Sequence, residues 1–225
     1  MVAEFSAIVL LYRFLGKTGL FLWIIVATIA QNIEVLILVD AFGMEMTLGN
    51  VLFASTFLVT DILSELYGKE ESLRAVRIGI ATAMIFIIIS LTWLLYTPSQ
   101  NDFASESIRT IFSNTPRILL ASIAVYIVVQ ITDVMLYHKW WDFTTKKYGD
   151  RDKYLWFRNN GSTLISQLVN TVLFNVLAFA GTYDFKTLVS IIISGYVIFV
   201  VTSLCDTPFV YAARWISKNR QVVER

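Results

Sequence analysis

The stretch Asn50-Val-Leu-Phe-Ala-Ser-Thr-Phe-Leu-Val-Thr-Asp61-Ile-Leu-Ser-Glu65 sets two carboxylates one helical turn apart, inside a run apolar enough to cross a bilayer. A transmembrane helix takes about 20 mostly apolar residues. A charge within one costs several kcal/mol unless it faces a cavity or a partner. Asp61 and Glu65 are therefore candidates either for function or for a structural pairing.

Working outward, the rest of the chain repeats the pattern. Its 225 residues are 56% hydrophobic and 14% aromatic, with a mean hydropathy of +0.66. That is more apolar surface than a soluble core of this size hides. The composition predicts an all-α integral membrane protein with six transmembrane helices, at roughly 20–39, 48–66, 75–97, 117–137, 162–181 and 187–213. Residues 1–225 read as a single transmembrane domain. Phe5 to Tyr12 is apolar but too short to span the membrane alone, so residues 1–15 read as an interfacial helix or an extra partial span. No small-residue cleavage site precedes Gly19, which argues against a signal peptide.

The cations set the orientation, because cytoplasmic flanks carry the excess of Lys and Arg. Alternate flanks hold fifteen on one side and three on the other. The fourth connection alone contributes Lys139, Lys146, Lys147, Arg151, Lys153 and Arg158. Both termini are expected in the cytoplasm, and the basic connection is an anchor to anionic lipid, with no nucleic-acid partner. Cys205 is the only cysteine, so no intramolecular disulfide forms. Between Thr97 and Pro116, Ala104, Ile108, Ile111 and Phe112 share one helical stripe, which suits a short surface helix as well as it does a solvated loop with a few apolar contacts.

Every span carries interior polar residues whose spacing assigns them to faces. Gln31, Asn32 and Glu34 close the first. Tyr126, Gln130, Asp133 and Tyr137 step along one side of the fourth, and Thr163, Ser166, Gln167 and Asn170 along one side of the fifth. In the sixth, Ser203, Asp206 and Thr207 precede Pro208, which removes a backbone hydrogen bond and favours a kink. Lipid satisfies none of these groups, so the polar faces must converge on a cleft. Amides and a carboxylate, with Phe53, Phe57, Trp93, Tyr126 and Phe174 nearby, suit a small planar heterocycle that stacks on rings and pairs along one edge. The spans show no Arg or Lys at mid-depth, which argues against phosphorylated cargo. The sole histidine, His138, stands at a helix end, and no Cys or His cluster has metal-ligand spacing. No enzyme, cofactor or metal is expected.

Three segments carry a resemblance: Gly49-Asn-Val-Leu-Phe-Ala-Ser-Thr-Phe-Leu-Val-Thr-Asp-Ile-Leu-Ser-Glu-Leu-Tyr-Gly-Lys69, Asn159-Asn-Gly-Ser-Thr-Leu-Ile-Ser-Gln-Leu-Val-Asn-Thr171 and Asp206-Thr-Pro-Phe-Val-Tyr211. In order and spacing they resemble the queuosine precursor transporter family, which is related to vitamin uptake transporters. The resemblance implies a bundle like the S components of energy-coupling-factor transporters, and uptake of deazaguanine bases in their cyano or aminomethyl forms, or of queuine. One position departs. The family's Ser-Gln-x-x-Asp-Thr stands here as Ser166-Gln167-Leu-Val-Asn170-Thr171, which removes a charge and a bidentate acceptor, so either Glu34 supplies the carboxylate or substrate preference differs.

The expected substrate-binding set is Gln31, Asn32, Glu34, Asn50, Ser55, Gln167 and Asn170. Asp61, Glu65, Asp133, Asp206 and Pro208 are expected to gate or couple. The reading is a plasma-membrane importer working by alternating access, with the lipid bilayer and a planar heterocycle as partners and a homodimer left open. Two alternatives stand beside it: a vitamin-binding S component that needs a separate ATPase module, and a membrane-embedded small-molecule sensor.

Overall fold

The computed structural model describes residues 1–41, 44–113, 116–150, 153–179, 181 and 183–223. At 38, 41, 44–46, 113, 116–119 and 220–223 it describes the backbone alone. Arg151 and Arg225, two of the cations that set the orientation, lie outside the described residues, as do the side chains of Arg117 and Arg220. Among the described residues, eight helices and one hairpin follow in order: α1 Val2–Leu15, α2 Lys17–Glu34, β1 Leu38–Ala41, β2 Met44–Thr47, α3 Gly49–Tyr67, α4 Lys69–Trp93, α5 Ser105–Ser113, α6 Pro116–Tyr148, α7 Leu155–Phe179 and α8 Phe185–Val223. Five of these, α3, α4, α6, α7 and α8, are long and apolar enough to cross a membrane. At 18 residues, α2 is long enough, but Lys17 at one end and Gln31, Asn32 and Glu34 at the other lower its hydropathy.

The bundle is inside-out relative to a soluble protein. Ile85, Ile88, Ile89, Val128, Ile131, Leu168, Val172 and Val201 are exposed around its girth, while Gln130, Asp133, Ser166 and Gln167 are fully buried. Lipid is the solvent such a surface fits. At the centre stands α3, which buries every residue from Ala54 to Ser64 and packs on α1, α2, α4, α6 and α8. A helix enclosed on all sides exposes none of its polar residues to lipid. Asp61 and the threonines around it therefore require protein partners.

The two ends of the bundle differ. At one, α3 ends on Gly68, whose positive φ of 87° closes the helix with its N–H on the Ser64 carbonyl. This is the basic end. There α6 and α8, 33 and 39 residues long, reach about 50 and 58 Å at 1.5 Å per residue. Both overrun a hydrocarbon core of about 30 Å, so both helices extend past residues 137 and 213, where the composition ended the spans. The other end carries the hairpin. Its strands are antiparallel, with Leu38 opposite Thr47 and Ala41 opposite Met44, and Leu48 N–H returns to the Ile37 carbonyl at 2.8 Å.

The first span is thus shorter than composition suggests. α2 stops at Glu34, where its last turn loosens into Leu36 N–H to Ile33 carbonyl and Ile37 N–H to Glu34 carbonyl bonds. The apolar run Val35 to Val39 continues as loop and strand. Hydropathy alone does not separate a strand from a helical turn in so short a run. The N-terminal segment also differs from a helix lying flat on a surface. Through Gly16, α1 folds back on α2 and buries Phe5, Ile8 and Tyr12 against α3 and α8, with the Phe5 ring 5.5 Å from that of Phe209. The stripe between Thr97 and Pro116 forms α5, capped by Asp102, whose Oδ1 accepts from the Ala104 and Ser105 N–H groups. Those bonds hold the Asp102 carboxyl below its ordinary range. Phe112 packs there on Phe86 and Trp93. Trp93 therefore belongs to this cluster and not to the polar cleft.

Candidate functional site

The polar faces converge in three tiers between the hairpin end and the basic end. The first is a cavity of about 40 Å³ lined by Gln31 and Val35 from α2, Gly49, Asn50 and Phe53 from α3, Ser122 and Val125 from α6, and Asn170 and Phe174 from α7. Gly49 makes its wall possible. A Cβ there would stand 2.8 Å from the Val35 nitrogen and 3.0 Å from the Gln31 carbonyl oxygen, so any side chain would push α3 off the end of α2. Gln31 Oε1 is buried without a hydrogen-bond partner. Asn50 accepts from Thr47 Oγ1 at 3.0 Å. Asn170 Nδ2 donates to Gln167 Oε1 at 3.1 Å, which leaves Gln167 Nε2, one turn deeper, without an acceptor. Phe53 meets Phe57 and Tyr126 edge to face, with ring centroids 5.2 and 6.1 Å apart. Gln31, its acceptor short of a partner, thus lines the cavity beside Phe53, and Gln167, its donor short of one, lies a turn deeper behind Asn170.

The second tier lies about 16 Å farther in, eleven residues along α3 and α6 from Asn50 and Ser122 at 1.5 Å per residue. It holds Asp61, Asp133 and Asp206, all essentially buried. Thr163 Oγ1 donates to Asp61 Oδ2 at 3.3 Å and Asn159 Nδ2 to Asp206 Oδ1 at 2.8 Å. Between the tiers, Gln130 Nε2 donates to Thr56 Oγ1 at 2.5 Å, tying α6 to α3.

The third tier closes the basic end. Arg158 presents Nη2 to both oxygens of Glu65 at 2.7 Å and Nε to Oε2 at 3.0 Å. Tyr137 donates to the same Oε2 at 2.8 Å, and Arg214 stands 3.5 Å from Oε1. The guanidinium also lies 4.3 Å from the Trp141 ring. Four helices, α3, α6, α7 and α8, thus meet on one carboxylate. Bidentate geometry and ring stacking make this the strong form of an ion pair.

Several expected residues take other places. Glu34 is half-buried, faces the charge of Glu4 on α1 and does not line the cavity. Ser55 accepts from Trp23 Nε1 at 2.9 Å and donates to the Leu52 carbonyl at 2.6 Å, so it fastens α2 to α3. Asn32 donates to the Thr28 carbonyl at 2.7 Å, with Oδ1 buried and unpaired. Pro208 is exposed within a continuous α8, and the carbonyl it frees belongs to Leu204, which is also exposed. Pro208 therefore meets none of the three tiers.

One cation that charge counting placed in a connection instead points into the bundle at the basic end. Arg158 belongs to the first turn of α7 and is fully buried. Charge counting assigns it to the connection. The signal that would have found it is the run Arg158-Asn159-Asn160, which extends the polar face of Thr163, Ser166 and Asn170 one turn toward the basic end.

Comparison with known proteins shows the family. Residues 47–213 match the family described as "Putative vitamin uptake transporter". A Bacillus subtilis (strain 168) protein named "Probable queuosine precursor transporter" is 36% identical over 218 residues, covering 97% of this chain and 93% of its own. The chain belongs to the queuosine precursor transporter family, within the vitamin uptake transporters. It is a multi-pass membrane protein with a transport role, as that family and its apolar helices require. No solved structure matches it.

Proposed function

We propose that this chain imports queuosine precursors, deazaguanine bases in their cyano or aminomethyl forms or queuine, across the plasma membrane by alternating access. α2 joins the five long helices as the sixth span, and α1 is an extra partial span. The basic end and the C-terminal tail are cytoplasmic. The observation that carries the reading is the hairpin-end cavity, lined by Gln31, whose Oε1 is buried without a partner, beside Phe53 and Asn170, with the unpartnered Gln167 Nε2 one turn deeper on α7. A deazaguanine edge supplies neighbouring donors and an acceptor, which match a free amide oxygen and a free amide nitrogen. Its flat face stacks on a ring.

At about 40 Å³ the cavity holds a few waters, so a bicyclic base enters only as Phe53 and its neighbours shift. Meanwhile Glu65 and Arg158 bar the cytoplasmic end, an arrangement that fits an outward-facing carrier. Import then requires this latch to part as the cavity closes. Asn170, where the family carries Asp, contributes an amide and no charge. That suits the neutral cyano form better than the aminomethyl form or queuine, whose amines are protonated at neutral pH.

The test is uptake of radiolabelled deazaguanine base by proteoliposomes containing this polypeptide alone. Uptake that saturates supports a self-sufficient carrier. Tight binding without any uptake until an ATPase module is added would establish the S-component reading instead.

A further inference from the structure

The second tier has more acceptors than donors. Asp61 Oδ1, both carboxylate oxygens of Asp133 and Asn159 Oδ1 are buried without a hydrogen-bond partner. The hydroxyls around them are spent elsewhere. Ser162 Oγ donates to the Arg158 carbonyl at 2.9 Å, Ser166 Oγ to the Ser162 carbonyl at 2.9 Å, and Thr163 Oγ1 to Asp61 Oδ2. The amide of Asn159 bridges outward, with Nδ2 on Asp206 Oδ1 and on Thr207 Oγ1, so its idle oxygen marks a missing donor independently of the three acids.

The titratable and charged groups that face this cluster from each packed helix are Glu65 on α3, the phenol of Tyr137 on α6, Arg158 on α7 and Arg214 on α8. Both arginines pair with Glu65, and among the described residues no ion pair reaches Asp61, Asp133 or Asp206. Three carboxylates that feel one another's charge in a lipid-embedded interior are costly while ionised. A proton removes a charge and, in the same step, supplies an O–H donor. A metal ion is a poorer answer: among the described residues no three acids, histidines or cysteines converge within ligating reach.

We propose that Asp61, Asp133 and Asp206, with Asn159, form a proton-binding site that couples cargo import to inward proton movement. This rests on the importer reading above. Asp133 is the principal carrier, because both of its oxygens are buried without a hydrogen bond while the hydroxyls facing it, those of Ser162, Thr163 and Ser166, donate to other acceptors. Hydronium arriving from the hairpin end gives its proton to an Asp133 oxygen and leaves as water. When the basic end opens, that O–H bond breaks and the proton passes to water on the cytoplasmic side. The site lies between the cavity and the Glu65–Arg158 latch, on the same face of α6 as Gln130 and Tyr137, so loading it bears on both.

The experiment uses proteoliposomes of the full chain and a labelled cyano-deazaguanine base. With an inward acid gradient of about one pH unit and one proton per cargo, wild type should accumulate the base about tenfold, and a protonophore should abolish this. An inward sodium gradient at equal pH should do nothing. Adding unlabelled base to wild-type vesicles without any gradient should acidify their interior, a readout that needs no variant. Asp133→Asn should still exchange base across the membrane but lose accumulation, and Asp61→Asn or Asp206→Asn should weaken it. Accumulation driven by sodium, or wild-type exchange indifferent to the acid gradient, would overturn the coupling while leaving the importer intact. Wild type that neither binds nor exchanges the base would overturn both.

Discussion

At the basic end, Glu65 has both carboxylate oxygens engaged by Arg158, Tyr137 and Arg214, whereas at the hairpin end Gln31 Oε1 and Gln167 Nε2 are buried and unpaired. Both regions are polar, enclosed and assembled from the same helices. What separates them is satisfaction. A buried group with all its partners stabilises one arrangement, and one without them costs about 1–3 kcal/mol until something else supplies the bond. On the proposed reading the first is a closure and the second a binding site.

The largest way to break this contrast is at the closure. Removing one member of a buried pair strands the other charge, at a cost of about 3–5 kcal/mol, while replacing both with apolar residues is close to neutral. Glu65→Leu and Arg158→Leu should each lower the melting temperature of the detergent-solubilised protein markedly. The double variant should recover most of the loss, and a double variant no better than the worse single would show that the two residues are not energetically coupled.

A smaller change sharpens the contrast from the other side. Ser55, expected from sequence to touch cargo, is fully paired between Trp23 and Leu52. Ser55→Ala should cost about 1 kcal/mol of stability and leave base affinity unchanged within about twofold. Chemical denaturation and equilibrium binding on the same preparation check both halves.

How far the sequence went follows from the physics of each signal. Helical period alone placed Tyr126, Gln130, Asp133 and Tyr137 on one face and Thr163, Ser166, Gln167 and Asn170 on another, and all eight are buried. Period is a local property and survives any packing. Pairing is not local. Thr163 meets Asp61 across 102 residues and Arg158 meets Glu65 across 93, and nothing in either segment names its partner. Arg158 was hidden for a further reason: near a helix end, a cation reads as a membrane flank whether its side chain points to water or into the bundle. Glu34 failed differently. Its depth was right for the cavity, but α1, which folds back beside α2, receives that side of the helix.

The most direct test of the account is equilibrium binding of deazaguanine bases, guanine, biotin and riboflavin to the purified chain, beside Gln167→Ala and Glu34→Ala. A bound ligand stabilises the folded state, so thermal shift reports it alongside titration. The account predicts that deazaguanine bases bind best, that Gln167→Ala weakens them about tenfold, the worth of one well-placed hydrogen bond, and that Glu34→Ala changes affinity by less than about threefold. Unaltered affinity in Gln167→Ala, or preference for biotin or riboflavin over every deazaguanine, would contradict it.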